Sequence, residues 1–195
     1  MFYKIAVIFC RICLLFVMHV KAKGQENIPR EGGCILALNH RSNLDPVVAA
    51  ITCKRMPGFM AKSELFKNKL FGALIKSLGA FPVQRGKGDI GAIKSALAML
   101  KEERMVLMFP EGKRVKKLED ERFTRAKPGA VMIAIRAKVP IQPAYISGKY
   151  GFMKRITVNY GEPILLEEYY DKKLSVDELQ EITDEVMKKI RALRV

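Results

Sequence analysis

Cys34-Ile35-Leu36-Ala37-Leu38-Asn39-His40-Arg41-Ser42-Asn43-Leu44-Asp45-Pro46 is the stretch that decides the fold. Its first five residues are all apolar, too short a run for a helix, and read as a strand buried on both faces that ends at Asn39. Asp45-Pro46 then opens a helix, with Asp45 suited to the N-cap and Pro46 to the first helical position. A buried strand that turns into a helix within a few residues is the repeating unit of α/β sheets. Functional groups of such sheets gather beyond the strand ends.

The same alternation continues downstream. Residues 59–61 read as a short strand, residues 63–77 as a helix, and residues 80–83 as a strand that Pro82 keeps away from the sheet centre. Ile93, Leu97 and Leu100 give residues 90–103 a helical period, and residues 105–109 form the next buried strand. A charged loop over residues 111–127 leads to a helix through residues 130–135. Residues 141–146 and 156–160 read as two further strands. Ser175-Val176-Asp177-Glu178 is a capping box that opens the last helix. The pattern implies an α/β domain over residues 23–195, with a mixed, largely parallel central sheet flanked by helices. A chain of 195 residues suits one such core.

Upstream, residues 2–20 are almost entirely apolar, broken by Lys4 and Arg11, with His19 near the end. Lys4 and Arg11 are seven residues apart and share a helix face beside Val7, Ile8, Leu14 and Leu15. An apolar helix with one basic edge is suited to the headgroup region of a membrane. The uncharged stretch falls short of the roughly 20 residues a spanning helix needs, and Lys21-Ala22-Lys23-Gly24 offers no signal-peptidase site. Residues 1–22 are therefore expected to form a membrane-associating helix, lying in the interface in preference to a tilted span or a core helix, with His19 interfacial.

Charge supports an anionic partner. The chain carries 35 Lys and Arg against 20 Asp and Glu, a net charge of +15, which calls for nucleic acid, acidic lipid or an acidic substrate carrier. Composition does not choose among them; the apolar N-terminal run favours lipid. Of the four cysteines, Cys10 and Cys13 have redox-motif spacing but lie inside that run, and no further Cys or His pair completes a metal site. Cys34 and Cys53 read with them as buried thiols of a reducing compartment.

The chain has two histidines, and only His40 stands past a buried strand. Asp45 can reach it across the short loop. A carboxylate on one imidazole nitrogen fixes the tautomer and leaves the other free to take a proton. No Gly-x-Ser-x-Gly elbow supplies a nucleophile, so the nucleophile is expected to be the substrate's own hydroxyl. Phe109-Pro110-Glu111-Gly112-Lys113-Arg114 ends a second buried strand with an acid and two cations, and Arg85 ends the strand that begins near Gly79. In a parallel sheet these ends share an edge with His40, where arginines can bind phosphate bidentately.

Taken in order, these segments resemble the glycerophospholipid acyltransferase family, in particular its 1-acylglycerol-3-phosphate (lysophosphatidate) acyltransferases. Asn39, His40 and Asp45 match its Asn-His-x4-Asp block, and Gly79 to Arg85 its glycine-apolar-arginine block. Residues 109–114 match Phe-Pro-Glu-Gly-Thr-Arg with Lys113 in place of threonine, and Val139-Pro140-Ile141-Gln142-Pro143 matches the fourth block. Lys127-Pro128-Gly129-Ala130 is similar to a further Lys-x-Gly-Ala segment of the family. The likeness covers about residues 30–165. It implies direct acyl transfer from a thioester of acyl carrier protein or coenzyme A to a free glycerol hydroxyl, giving phosphatidate, with no metal and no other cofactor. His40 and Asp45 would be catalytic. Asn39, Lys62, Arg85, Glu111, Gly112 and Arg114 would contact the substrate, with Arg85, Glu111 and Arg114 on the phosphate. Lys113 is the departure from the family's pattern within the block at residues 109–114. The single short apolar segment fits a bacterial protein on the cytoplasmic face of the cell membrane.

Two other readings compete. Gly86-Lys87-Gly88-Asp89-Ile90-Gly91 fits a dinucleotide-binding glycine pattern, but the strand before it carries Pro82, Gln84 and Arg85 where that fold needs a buried first strand. Lys113-Arg114-Val115-Lys116-Lys117 fits a basic, non-catalytic binder of nucleic acid or acidic lipid. No recognition-helix, zinc-finger or ribonucleoprotein signature accompanies it, so nucleic acid is not expected as a partner.

Overall fold

The computed structural model describes residues 18–77, 79–83, 90–115 and 124–195. The strands are β1 (Met18–Lys23), β2 (Cys34–Leu38), β3 (Pro57–Lys62), β4 (Ala80–Val83), β5 (Met105–Met108), β6 (Ile141–Gly148) and β7 (Lys154–Tyr160). The helices are α1 (Asp45–Thr52), α2 (Lys69–Ser77), α3 (Ile90–Lys101), α4 (Gly129–Ala137) and α5 (Val176–Ala192). All seven strands form one sheet in the order β1-β7-β6-β2-β5-β3-β4. Only β6 and β7 pair antiparallel; the other neighbours are parallel.

β2 is central, as its sequence requires, and every one of its five residues is buried. Ile35 and Ala37 face the core under α3, α4 and α5, while Cys34, Leu36 and Leu38 face the core shared with α1. Burying side chains such as Ile35, Leu36 and Leu38 stabilises the fold by about 1.5–3 kcal/mol each. A one-residue slip would exchange the two faces, so register is fixed and with it the position of His40. The run of β2, β5, β3 and β4 places four parallel strand ends on one edge, and β6, on the other side of β2, ends there too. β4, which carries Pro82, is one edge strand of the sheet and β1 is the other.

Three local expectations change. Residues 18–23 are a strand, not the end of a helix: β1 lies parallel to β7, with Met18 opposite Lys154. The reason is the alternation Met18-His19-Val20-Lys21-Ala22-Lys23, which sets apolar side chains on one face and polar ones on the other. His19 is accordingly exposed on β1, opposite Arg155. The expected membrane-associating helix otherwise falls on residues 1–17, with Cys10 and Cys13, outside the described residues. Among those described, no helix is long and apolar enough to cross a membrane.

The helix expected over residues 63–77 is two pieces, a 3-10 turn at Ser63–Phe66 and then α2. Asn68 starts the second piece, its carbonyl accepting from Gly72 N–H. Asp45 is the first residue of α1, not its N-cap. Leu44 takes the cap position and, having no polar side chain, makes no side-chain cap bond; the Asp45 carboxylate turns back onto the loop instead. The Ser175–Glu178 capping box opens α5 as expected, with both reciprocal bonds formed.

Candidate active site

The loop from β2 to α1 is wound around one buried carboxylate. Asp45 has no exposed surface. Its Oδ2 accepts from Arg41 N–H at 2.6 Å and Ser42 N–H at 2.7 Å, and lies 2.8 Å from His40 Nδ1. Its Oδ1 accepts from the Tyr150 hydroxyl at 2.5 Å. A carboxylate shut away from water is tolerable only when donors surround it in this way. The arrangement makes Nδ1 the protonated imidazole nitrogen and leaves Nε2 with a lone pair. Nε2 has no partner among the described residues.

His40 is held from three more directions. Its backbone N–H donates to Glu111 Oε2 at 2.9 Å, and its carbonyl accepts from Val115 N–H at 2.7 Å. The Phe109 ring stacks on the imidazole, with centroids 4.1 Å apart and planes 17° from parallel. The loop after β5 thus grips the histidine at the end of β2. That adjacency follows from the β2–β5 pairing, which sets Ala37 opposite Met108. An imidazole with fixed tautomer, fixed ring plane and one open nitrogen can take a proton from a hydroxyl brought to it.

The expected site residues divide into distinct groups. His40 and Asp45 are brought together. Asn39 and Glu111, expected to contact substrate, face inward instead. Asn39 is 1% exposed, and its amide donates to the Ile146 carbonyl at 3.1 Å while accepting from Ile146 N–H at 2.7 Å. It extends the β2–β6 ladder by one side-chain pair. Glu111 is 2% exposed and spends Oε2 on His40. A carboxylate there would in any case repel a phosphate.

Gly112 is a backbone requirement. Its φ is +66°, and a Cβ would stand 2.8 Å from the Lys127 side chain that passes over it. Arg114 is exposed on the same edge, with Nη1 donating to Asn43 Oδ1 at 2.9 Å. Lys62 ends β3 on this edge too, its side chain outside the description. Arg85, the glycine pattern at residues 86–89, and Lys116 and Lys117 lie outside the described residues.

Two participants were not found in the sequence. Tyr150 lies 105 residues from Asp45 in the chain, and Arg41 Nη1 donates to the Gly148 carbonyl of the same turn at 2.9 Å. Burial, then the Asp45 carboxylate, pushes the Tyr150 phenol far up, so it remains a donor throughout the working range. Among the described residues no cluster of His, Cys, Asp and Glu could hold a metal ion. A cavity of about 420 Å³ lies between residues 164–166 and α5, with Glu178, Glu181 and Glu185 on its rim. It includes none of the groups around His40, and its acidic rim is unsuited to a phosphate.

Comparison with known proteins converges on one family. The Acyltransferase family model matches residues 19–147. A 1-acyl-sn-glycerol-3-phosphate acyltransferase of Bacillus subtilis is 34% identical over 168 residues, covering 83% of this chain and 82% of that protein. The Streptococcus pneumoniae protein of the same name is 33% identical, covering 82% of this chain and 60% of its own length. The crystal structure of the 1-acyl-sn-glycerophosphate acyltransferase of Thermotoga maritima superposes with a TM-score of 0.75 at 24% identity, over 98% of this chain and 79% of that one. That last match speaks for the fold.

Proposed function

Because the chain belongs to the Acyltransferase family, we propose that it moves a fatty acyl group from a thioester to the free hydroxyl of 1-acylglycerol 3-phosphate, with His40 as the general base. Family membership makes the chain an enzyme and sets aside the non-catalytic basic binder. The observation that carries the mechanism is the buried His40–Asp45 pair, 2.8 Å apart, with Nε2 open.

Nε2 takes the proton of the acceptor hydroxyl as its oxygen attacks the thioester carbonyl. The Asp45 carboxylate stabilises the imidazolium that forms. Collapse of the tetrahedral intermediate breaks the carbon–sulfur bond, and the imidazolium returns its proton to the departing thiolate. The products are phosphatidate and a free thiol, with no acyl-enzyme. Arg85 and Arg114 are assigned to the acceptor phosphate, on the strength of their chemistry and their places in the sequence shortly after β4 and β5. Orientation at this edge lowers the entropy cost of bringing three groups together. The donor is the thioester of acyl carrier protein or of coenzyme A, and the work is done on the cytoplasmic face of a membrane, which would supply the lipid acceptor.

An acceptor panel tests this reading. Lysophosphatidate, glycerol 3-phosphate and lysophospholipids with larger headgroups would each be offered with both thioesters. Lysophosphatidate is expected to give the highest kcat/KM. Transfer to another acceptor in its place would move the assignment within the family, to the related activity that Lys113 leaves open.

A further inference from the structure

Nine large apolar side chains stand exposed among the described residues, and six of them crowd one edge of the sheet. Leu44 follows β2, Leu65 and Leu70 follow β3, Ile90 opens the helix after β4, and Phe152 and Met153 occupy the β6–β7 turn. β2, β3, β4 and β6 run in one direction, so this is the edge that carries His40. Scattered apolar exposure is ordinary; its concentration around one site is not.

Among the described strands, β6 runs furthest past the end of β2. Leu38, the last residue of β2, pairs with Ala144, and β6 continues to Gly148, about 13 Å further at strand rise. The turn beyond it is built to hold its shape. Gly148 has φ +99°, and a Cβ there would stand 2.1 Å from the Arg155 carbonyl. Lys154 N–H closes the tip onto the Gly151 carbonyl at 3.2 Å. Phe152 and Met153 are thereby displayed to solvent, 73% and 65% exposed.

Charge selects what they meet. Lys149, Lys154 and Arg155 flank the tip and are exposed, as are Lys113 and Arg114 on the same edge. Asp45 and Glu111 are buried, which leaves Glu64 as an exposed carboxylate there. β1 begins beside the tip, at the Met18–Lys154 pair, where the apolar run of residues 2–17 joins the sheet. An apolar prong ringed by cations matches a lipid surface with anionic headgroups.

We propose that the β6–β7 turn inserts Phe152 and Met153 into an anionic lipid surface and so sets the His40 edge against the membrane. The same turn carries Tyr150, whose hydroxyl bonds Asp45, so the element that touches lipid also holds the catalytic pair. The inference rests on the acyltransferase reading only for the role of that edge. Its test reads lipid contact without turnover, so the two can fail separately.

The chain contains no tryptophan, so Phe152→Trp in the full-length protein places one reporter at the tip. Leu165→Trp places another beyond Ile164, which bridges Ile141 at the opposite end of β6. Vesicles of phosphatidylcholine with phosphatidylglycerol would be added, with and without brominated acyl chains. The Phe152→Trp emission is expected to move to shorter wavelength and to be quenched by bromine, while Leu165→Trp does neither. Omitting phosphatidylglycerol or adding salt should weaken the response. An unshifted Phe152→Trp on vesicle-bound protein overturns the proposal. Equal quenching at both positions also overturns it, as does a shift that appears without lipid, which would mark a protein partner or a second copy instead.

Discussion

Replacing Glu111 by alanine separates a residue that holds His40 from one that binds the acceptor. In the structure the Glu111 carboxylate is 2% exposed, and its Oε2 accepts the His40 N–H at 2.9 Å. Alanine leaves that buried N–H without a partner, at about 1–3 kcal/mol, and opens a void worth about 1 kcal/mol more. For a chain of this length a loss of about 2–4 kcal/mol lowers Tm by about 5–15 °C. The histidine main chain loses one of its two ties, and a displacement near 1 Å at a reacting group costs on the order of 10²-fold. The expected result is a kcat lowered about 10- to 100-fold with the acceptor KM nearly unchanged. Glu111→Gln, which keeps an accepting oxygen, should recover most of both losses. Steady-state kinetics on lysophosphatidate beside thermal unfolding reads all three quantities. An acceptor KM raised more than about tenfold, with kcat and Tm intact, would refute the positioning role and restore the phosphate contact.

Asp45→Asn should fold, since its amide oxygen can take the place of Oδ2 and face the same three donors. It loses the charge that stabilises the imidazolium, a charge-assisted bond worth about 1.5–3 kcal/mol, so kcat should fall about 10- to 150-fold in the same assay. Tyr150→Phe removes one donor from that carboxylate; kcat is expected to drop about 3- to 30-fold, and an unchanged kcat would show that Oδ1 needs no partner. Burial pushes the Cys34 thiol up from about 9 to about 12. The folded thiol keeps its proton where the unfolded one has lost it, so unfolding releases a proton and stability falls as pH rises from about 9 toward 12. Urea unfolding at pH 8 and pH 10.5 should show that loss, and Cys34→Ala should show less of it.

Local pattern carried the sheet and the dyad but not what surrounds them. Residues 34–38 could only be a buried strand, and the short loop to Asp45 put a carboxylate within reach of His40. Pro82 marked β4 as an edge. The resemblance puts Glu111 with Arg85 and Arg114 on the acceptor phosphate, and nothing in the local sequence shows that it turns inward. Its inward turn depends on β5 lying beside β2, a pairing 71 residues apart in the chain. Tyr150 is further still, and nothing in Gly148-Lys149-Tyr150-Gly151 distinguishes it from a surface turn. The strand at Met18–Lys23 is a different case. Its period-two alternation was visible, but the apolar run before it favoured a helix, and the pairing with β7 decided the outcome.

Acyl transfer by His40→Ala bears most directly on the account. The variant should still fold, because its backbone ties to Glu111 and Val115 survive, with Tm lowered by about 5–15 °C for the lost bond to Asp45 and the void beside Phe109. Its kcat should fall at least 10²- to 10⁴-fold, the usual contribution of a positioned base. A folded His40→Ala protein that transfers acyl groups at the wild-type rate would contradict it.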